Sequence, residues 1–244
     1  MAVIWAIMRR DLLGAFTTPL AWLVLALWLF VIDLAFAITL GWAHSSQPYG
    51  GLDQPLFDYV LSAGRICLVF IAPAITMGSF TLERSQGTMQ LLLTVPAREH
   101  QLVVGKFLAS FVILAVMIAA TVVQPVVLYF ISDVPGPQLT AGYGGLLLSA
   151  AFYAALGVWI SLLVDSGMAA WVITAAVLTV LMLIGMIGVG GWRGEVAHFV
   201  GLAHRSEGFF RGEVRLGDIA YFVAGTTAWL LLAHSVLRAR RIHG

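Results

Sequence analysis

The chain has 244 residues, 61% hydrophobic and only 10% charged, with a formal net charge of +1 and a mean hydropathy of +0.97. About a quarter of residues are charged in an ordinary soluble domain, so the composition excludes one and indicates an integral membrane protein. The single cysteine, Cys67, excludes an internal disulfide.

Residues 3–12 read as a short amphipathic helix. Ile4, Ile7, Met8 and Leu12 fall near one face, with Arg9, Arg10 and Asp11 towards water. Thr17 and Thr18 break it, and Pro19 restarts a helix at a first-turn position. Residues 1–18 thus fit a helix lying at the membrane interface and turning sharply into a first span; the plainer alternative is a frayed start of that span. Arg9 and Arg10 precede an apolar run longer than the core of a signal peptide, so no cleavable leader is expected.

A helix needs about 20 mostly apolar residues to cross the hydrocarbon core. Six stretches meet that requirement with varying quality: residues 20–42, 61–81, 102–132, 146–164, 168–189 and 219–237. They are continuously apolar, without the period-two alternation of a transmembrane barrel. The expected fold is an all-α polytopic membrane protein with six transmembrane helices. Pro73 should kink the second span, and Gln124 with Pro125 should break the overlong third. Asp165, Ser166 and Gly167 form a tight hairpin between the fourth and fifth spans, with Asp165 expected to cap the fifth. Gly144, Ser149, Ala150, Ala151, Ala154, Ala155 and Gly157 are small enough for close helix approach, inside one bundle or at a seam between chains. Residues 192–218 are too long for a turn and read as one or two short outer helices, with Glu207/Arg211 and Arg211/Arg215 at helical i, i+4 spacing.

With the N-terminus in the cytoplasm, six spans place Arg9, Arg10, Arg84, Arg98, Lys106, Arg238, Arg240 and Arg241 inside. Arg65, Arg193, Arg205, Arg211 and Arg215 fall outside or at the outer interface. That is a modest positive-inside bias, and it puts both termini in the cytoplasm. Most tryptophans lie near span ends and read as interface anchors, with no cofactor or nucleic-acid role.

The informative inner segment spans residues 83–99. Gly87 should end the helix leaving the second span, Thr88 offers an N-cap for a two-turn helix, and Pro96 starts another helical piece. Met89, Leu92 and Leu93 give the short helix an apolar face, flanked by Glu83, Arg84, Arg98 and Glu99. Hung between two spans, it suits insertion into a groove on a soluble partner, although an interfacial turn with its leucines against lipid would look the same.

The run from Glu83 and Arg84 through Gly87, Thr88, Met89, Gln90, the leucines 91–93, Thr94 and Pro96, followed by Gly105 and Lys106, resembles the membrane subunits of ABC-2 type transporters. It is most similar to the gliding-motility and nitrous-oxide-reductase-maturation permease branch. The amphipathic start with Arg10, Asp11 and Leu12, the number of spans, and the closing pattern of His198, Phe199 and residues 211–222 agree with that resemblance. Gln90 and Gly217 depart from it, standing where the family commonly has an acid and an arginine.

The resemblance implies a single ABC-2 type transmembrane domain over residues 1–244, with a cytoplasmic coupling helix between spans two and three. It implies a cytoplasmic ABC ATPase dimer as partner, a second permease subunit (the same or related), and a bacterial cytoplasmic membrane. Glu83, Arg84, Gly87, Thr88, Met89, Leu92, Pro96 and Arg98 would then carry coupling, and His198, Arg211 and Asp218 would mark the outer segment. ATP and magnesium would belong to the partner, and no cofactor is expected on this chain: Gly105-Lys106 is followed by Phe107, which does not match a phosphate loop. An extracytoplasmic partner stays open.

Asp33 is the only acid well inside an expected span, so it should face the bundle, pair, or line a translocation path. Gln124 faces the same choice. His198 and His204 lack the acid and cysteine company of a metal site. No converging nucleophile, base or ligand set suggests a membrane enzyme, and a passive channel or assembly scaffold is the alternative to an ATP-driven exporter.

Overall fold

The computed structural model describes residues 2–46, 55–88, 98–126, 136–184 and 199–243. Among them all regular structure is helical, and six helices are long and apolar enough to cross a membrane. Helix α1 (Ala2–Thr17) and α2 (Pro19–Ser46) are parted by Thr18 alone. The hydroxyls of Thr17 and Thr18 donate back to the carbonyls of Gly14 and Ala15, and Pro19 opens α2 where its missing N–H leaves no bond unmade.

Helix α3 (Pro55–Thr76) carries Pro73 in its last turn; Met77 interrupts the path and α4 (Gly78–Ser85) continues it. Helix α5 (Glu99–Ala120) stops at a Thr121–Val122 turn, slightly before the Gln124–Pro125 pair expected to break it. There the Thr121 hydroxyl turns back to the Ile118 carbonyl, and the Tyr143 hydroxyl donates to the Thr121 carbonyl at 3.0 Å. Helices α6 (Gly136–Leu163), α7 (Gly167–Ile184), α8 (Leu202–Phe210) and α9 (Leu216–His243) complete the order. Helix α6 starts ten residues before its apolar run and α9 three, and Gln138 and Asp218 find partners in those lead-ins.

Helix α6 is the centre: 72% of its span is buried, against 11% for the spans of α2 and α9. It packs on α3, α5, α7, α8 and α9. Its small residues explain how. Ser149, Ala150, Ala154, Ala155 and Gly157 are all buried within the chain, so most of the stripe serves internal packing. A Cβ on Gly157 would stand 2.0 Å from the Thr76 hydroxyl oxygen, and one on Gly225 would stand 2.3 Å from the Phe152 ring. Without lipid-excluding hydrophobicity to drive association, such close approach is what binds apolar helices together.

The two ends of the bundle differ. The α1 end gathers Arg10, Asp11, Glu83, Arg84, Lys106 and Asp165. At the α8 end, Arg65 from α3 donates to the Ala203 carbonyl and the Ser206 hydroxyl and lies 5.3 Å from the centre of the Phe210 ring.

Candidate functional site

The α1 end is built around the way α4 finishes. The N–H groups of Gln86 and Gly87 return to the carbonyls of Leu82 and Arg84, and Gly87 takes φ +68°, a left-handed conformation that glycine adopts without strain. Thr88 then sends its N–H (2.9 Å) and its hydroxyl (3.1 Å) back to the Glu83 carbonyl. It closes α4, while the following helix that the sequence expects it to N-cap would begin beyond it. Residues 89–97, with Met89, Leu92 and Pro96, lie outside the described residues, as does that expected helix. Arg98 is exposed and stands in extended conformation at the N-cap of α5, where the Gln101 side chain accepts its N–H at 3.2 Å.

Lys106 of α5 is the keystone. Its side chain is 4% exposed, with the ammonium 2.9 Å from Glu83 Oε1, 3.3 Å from Asp11 Oδ2 and 5.0 Å from the centre of the Phe80 ring. Arg10 adds a second cation 2.9 Å from the same Glu83 oxygen and 2.8 Å from Asp11. Burial works against the Arg10 charge, yet the hydrogen bonds and charges of Asp11 and Glu83 outweigh it and hold the guanidinium above its usual range. Two cations and two carboxylates thus compensate one another where unpaired charge would be costly. Gly105 makes the meeting possible. A Cβ there would fall 2.9 Å from Ile7 Cγ2, so only glycine lets α1 lie this close to α5 and bring Asp11 within reach of Lys106.

Arg84 performs a different task. It donates at 2.9 Å to the Val164 carbonyl and at 2.8 Å to the Leu162 carbonyl, and pairs with the Asp165 carboxylate. Carbonyls at a helix C-terminus have no partner within the helix, and the Arg84 fork supplies donors to two of them at the end of α6. Asp165 pairs with Arg84 and stands two residues ahead of α7, which opens with the Ala170 N–H on the Ser166 carbonyl. Glu83 and Arg84, adjacent in sequence, consequently tie α4 to α1 and α5 on one side and to the α6–α7 hairpin on the other.

Asp33 and Gln124 come together: the Gln124 amide donates to Asp33 Oδ1. Gln124 is buried, but Asp33 is exposed, on a stripe of α2 shared with Leu27, Phe30, Leu34 and Ile38. The carboxylate pairs without turning into the bundle.

At the α8 end, Asp218 is 6% exposed and accepts from Arg205 at 2.8 Å. Arg211 is exposed and pairs with Glu207 one turn back. Gly212 (φ +81°) ends that run, so Arg215 turns to Glu213 at 3.0 Å and the repulsive Arg211/Arg215 pairing expected of a longer helix does not arise. His198 lies outside the described residues, and among those described no group of three or more histidine, cysteine or acidic side chains could hold a metal ion.

The sequence marked Arg65 only as an outer charge, and Lys106 as an inner charge and part of the Gly105-Lys106 motif, with no partner foreseen for either. The signal that could have found Arg65 was its place within an apolar run, where a cation requires a partner.

A family model described as ABC-2 family transporter protein matches residues 5–204, from α1 into α8. The chain belongs to the ABC-2 transporter family. No curated protein matches it. The permease is thus the multi-pass membrane component of an ABC transporter, a transport subunit that is not itself the catalyst. Membership implies association with an ABC ATPase and, usually, with a second permease.

Proposed function

We propose that the permease takes up the strokes of a separate cytoplasmic ATPase through residues 83–99 and uses them to export cargo or transmit force across a bacterial cytoplasmic membrane. Both termini are then cytoplasmic, ATP and magnesium bind the partner ATPase dimer, and a second permease, identical or related, completes the transmembrane part. The resemblance of the inner and outer motifs favours the gliding-motility and nitrous-oxide-reductase-maturation branch and, with it, export.

One observation carries the coupling reading. The helices on either side of the 83–99 segment are tied together, with Glu83 in α4 and Lys106 in α5 2.9 Å apart. Arg84 extends that grip to the α6–α7 hairpin. A push on the segment is therefore delivered to α1, α4, α5 and the central helix as one body. Within the same reading, Asp33 and Gln124 form an intramembrane polar contact beside the translocation path, and the outer segment around Arg211 and Asp218 faces any extracytoplasmic partner.

The test is a detergent pull-down of the tagged chain from its native membrane, wild type against a Met89→Asp, Leu92→Asp variant. Co-purification of an ATPase with wild type and its loss in the folded variant is the expected result. If neither pull-down nor mild crosslinking recovers an ATPase with folded wild-type protein, the reading fails and a passive channel or scaffold takes its place.

A further inference from the structure

A cavity of about 790 Å³ opens at the α1 end, between α1 and α2 on one side and the α3–α4 junction on the other. Successive turns of α5 form its floor through Ala109, Ser110, Ile113 and Met117. Its volume falls within the roughly 300–1,000 Å³ of ordinary ligand pockets. Small residues create it. Gly14 and Gly78 stand on opposite walls, and a Cβ on either would meet no atom within 4 Å.

The lining changes character from the α1 end towards the middle of the bundle. Towards the middle of the bundle the walls are apolar, with Val24 of α2 and Ile75 of α3 facing across the α5 floor. At the mouth they are charged and polar, with Arg10, Asp11, Glu83 and Lys106 joined by Gln86 and Thr88. A water-soluble ligand would leave the apolar depth unused, and a hydrocarbon would leave the charged mouth unused. An amphiphile with a charged head and an apolar tail matches both, in the orientation the bilayer already gives it.

The charges narrow the class. Lys106 is 4% exposed and already shared between Glu83 and Asp11, so it offers little to a ligand. The Arg10 side chain is 56% exposed. Its Nε and Nη2 groups are committed to Asp11 and Glu83, and a guanidinium has five N–H donors in all. The remaining ones suit a phosphate, which arginine binds by paired charge-assisted hydrogen bonds.

We propose that this groove is a lipid-binding site, holding a phospholipid of the leaflet at the α1 end with its phosphate on Arg10 and one acyl chain along the α5 floor. The lipid wedges α1 and α2 against α3 and α4, over the same helix that carries Lys106. The inference does not require ATP coupling and stands apart from the Asp33 face of α2.

The experiment uses the full chain reconstituted in phosphatidylethanolamine and phosphatidylglycerol vesicles that carry a trace of phospholipid with a photoactivatable acyl chain. Adducts are mapped by peptide mass spectrometry after a delipidating detergent wash before illumination. Labelling should persist at Val24, Ile75 and Ile113 after the wash, while labelling at Leu231, on the exposed stripe of α9, should be lost. Gly78→Leu and Gly14→Leu, which fill the groove from opposite walls, should each abolish the groove adducts and leave unwashed labelling at Leu231 unchanged. Should a filled variant fail to fold, the wild-type map decides alone. The proposal is overturned by wash-sensitive labelling throughout, by groove adducts that survive both substitutions, or by groove positions crosslinking to a second copy of the chain.

Discussion

The Glu83 carboxylate and the Lys106 ammonium, 2.9 Å apart, close the chain on itself at the root of the segment between α4 and α5. Glu83→Gln leaves the buried lysine with Asp11 at 3.3 Å as its remaining anion. Breaking a buried pair from one side costs about 3 kcal/mol, and thermal unfolding in detergent should show a loss of that order. Glu83→Gln combined with Lys106→Met removes both charges and should recover much of it. Recovery of stability without recovery of transport-linked ATP hydrolysis would separate the ionic contact's part in coupling from its part in folding.

Arg84 and Asp165 form an ion pair that geometry divides unequally. The Asp165 side chain is 88% exposed, and such a pair contributes at most about 1 kcal/mol; Asp165→Asn should therefore unfold at nearly the wild-type temperature. Arg84→Lys has no fork for the Leu162 and Val164 carbonyls, and each buried acceptor left bare costs about 1–3 kcal/mol. The lysine variant should consequently be clearly less stable, although it keeps the charge. Equal effects would mean that the ion pair, and not carbonyl capture, is what matters there.

Gly157→Ala places a methyl 2.0 Å from the Thr76 hydroxyl oxygen, between α6 and the end of α3. Thr76 itself is fully buried and bonded to the Ala72 carbonyl, so it cannot swing aside cheaply. Overpacking of this kind costs about 1–3 kcal/mol. Gly144→Ala on the same helix meets nothing within 4 Å and should be neutral or stabilising by up to about 1 kcal/mol from helix propensity. The two variants, compared by thermal unfolding in one detergent, report directly on the α6–α3 crossing.

Asp33→Asn still offers an oxygen to the Gln124 amide, whereas Asp33→Leu does not. Interhelical polar contacts in membranes average about 0.6 kcal/mol, so both variants should remain folded. Transport should survive in Asp33→Asn and fall in Asp33→Leu if the polar contact is what function needs. Loss in both variants would assign the role to the charge on the exposed stripe.

The span pattern was legible because a hydrocarbon core demands long apolar runs whatever the tertiary arrangement. The Gly87 break and the Thr17–Pro19 restart were legible for a different reason: both are local backbone chemistry. The Glu83–Lys106–Asp11–Arg10 cluster was not, since its members are distant in sequence and meet only because Gly105 admits Ile7. Thr88 shows the limit of local reading. A threonine after a glycine can look forward to the next helix or back to the last; its N–H and hydroxyl run back to Glu83, and the forward side lies outside the described residues. Asp33 and Gln124 stood out singly as polar residues in apolar runs, yet nothing in their spacing joined them. The helical lead-in of α6 ahead of its apolar run was not legible, because Gln138 looks like a loop residue until Asp58 and the Phe210 carbonyl are in place.

Helix α6 is wrapped on nearly every side by its own chain, and its smallest residues are spent on bringing neighbours to contact. Among the described residues, a bundle closed around such an axle leaves no bore along its axis for a solute. On the proposed function, whatever crosses travels along the outside of the protomer, over faces such as the open stripe of α2 around Asp33. On that reading one chain supplies one wall of the conduit, and a second permease supplies the other.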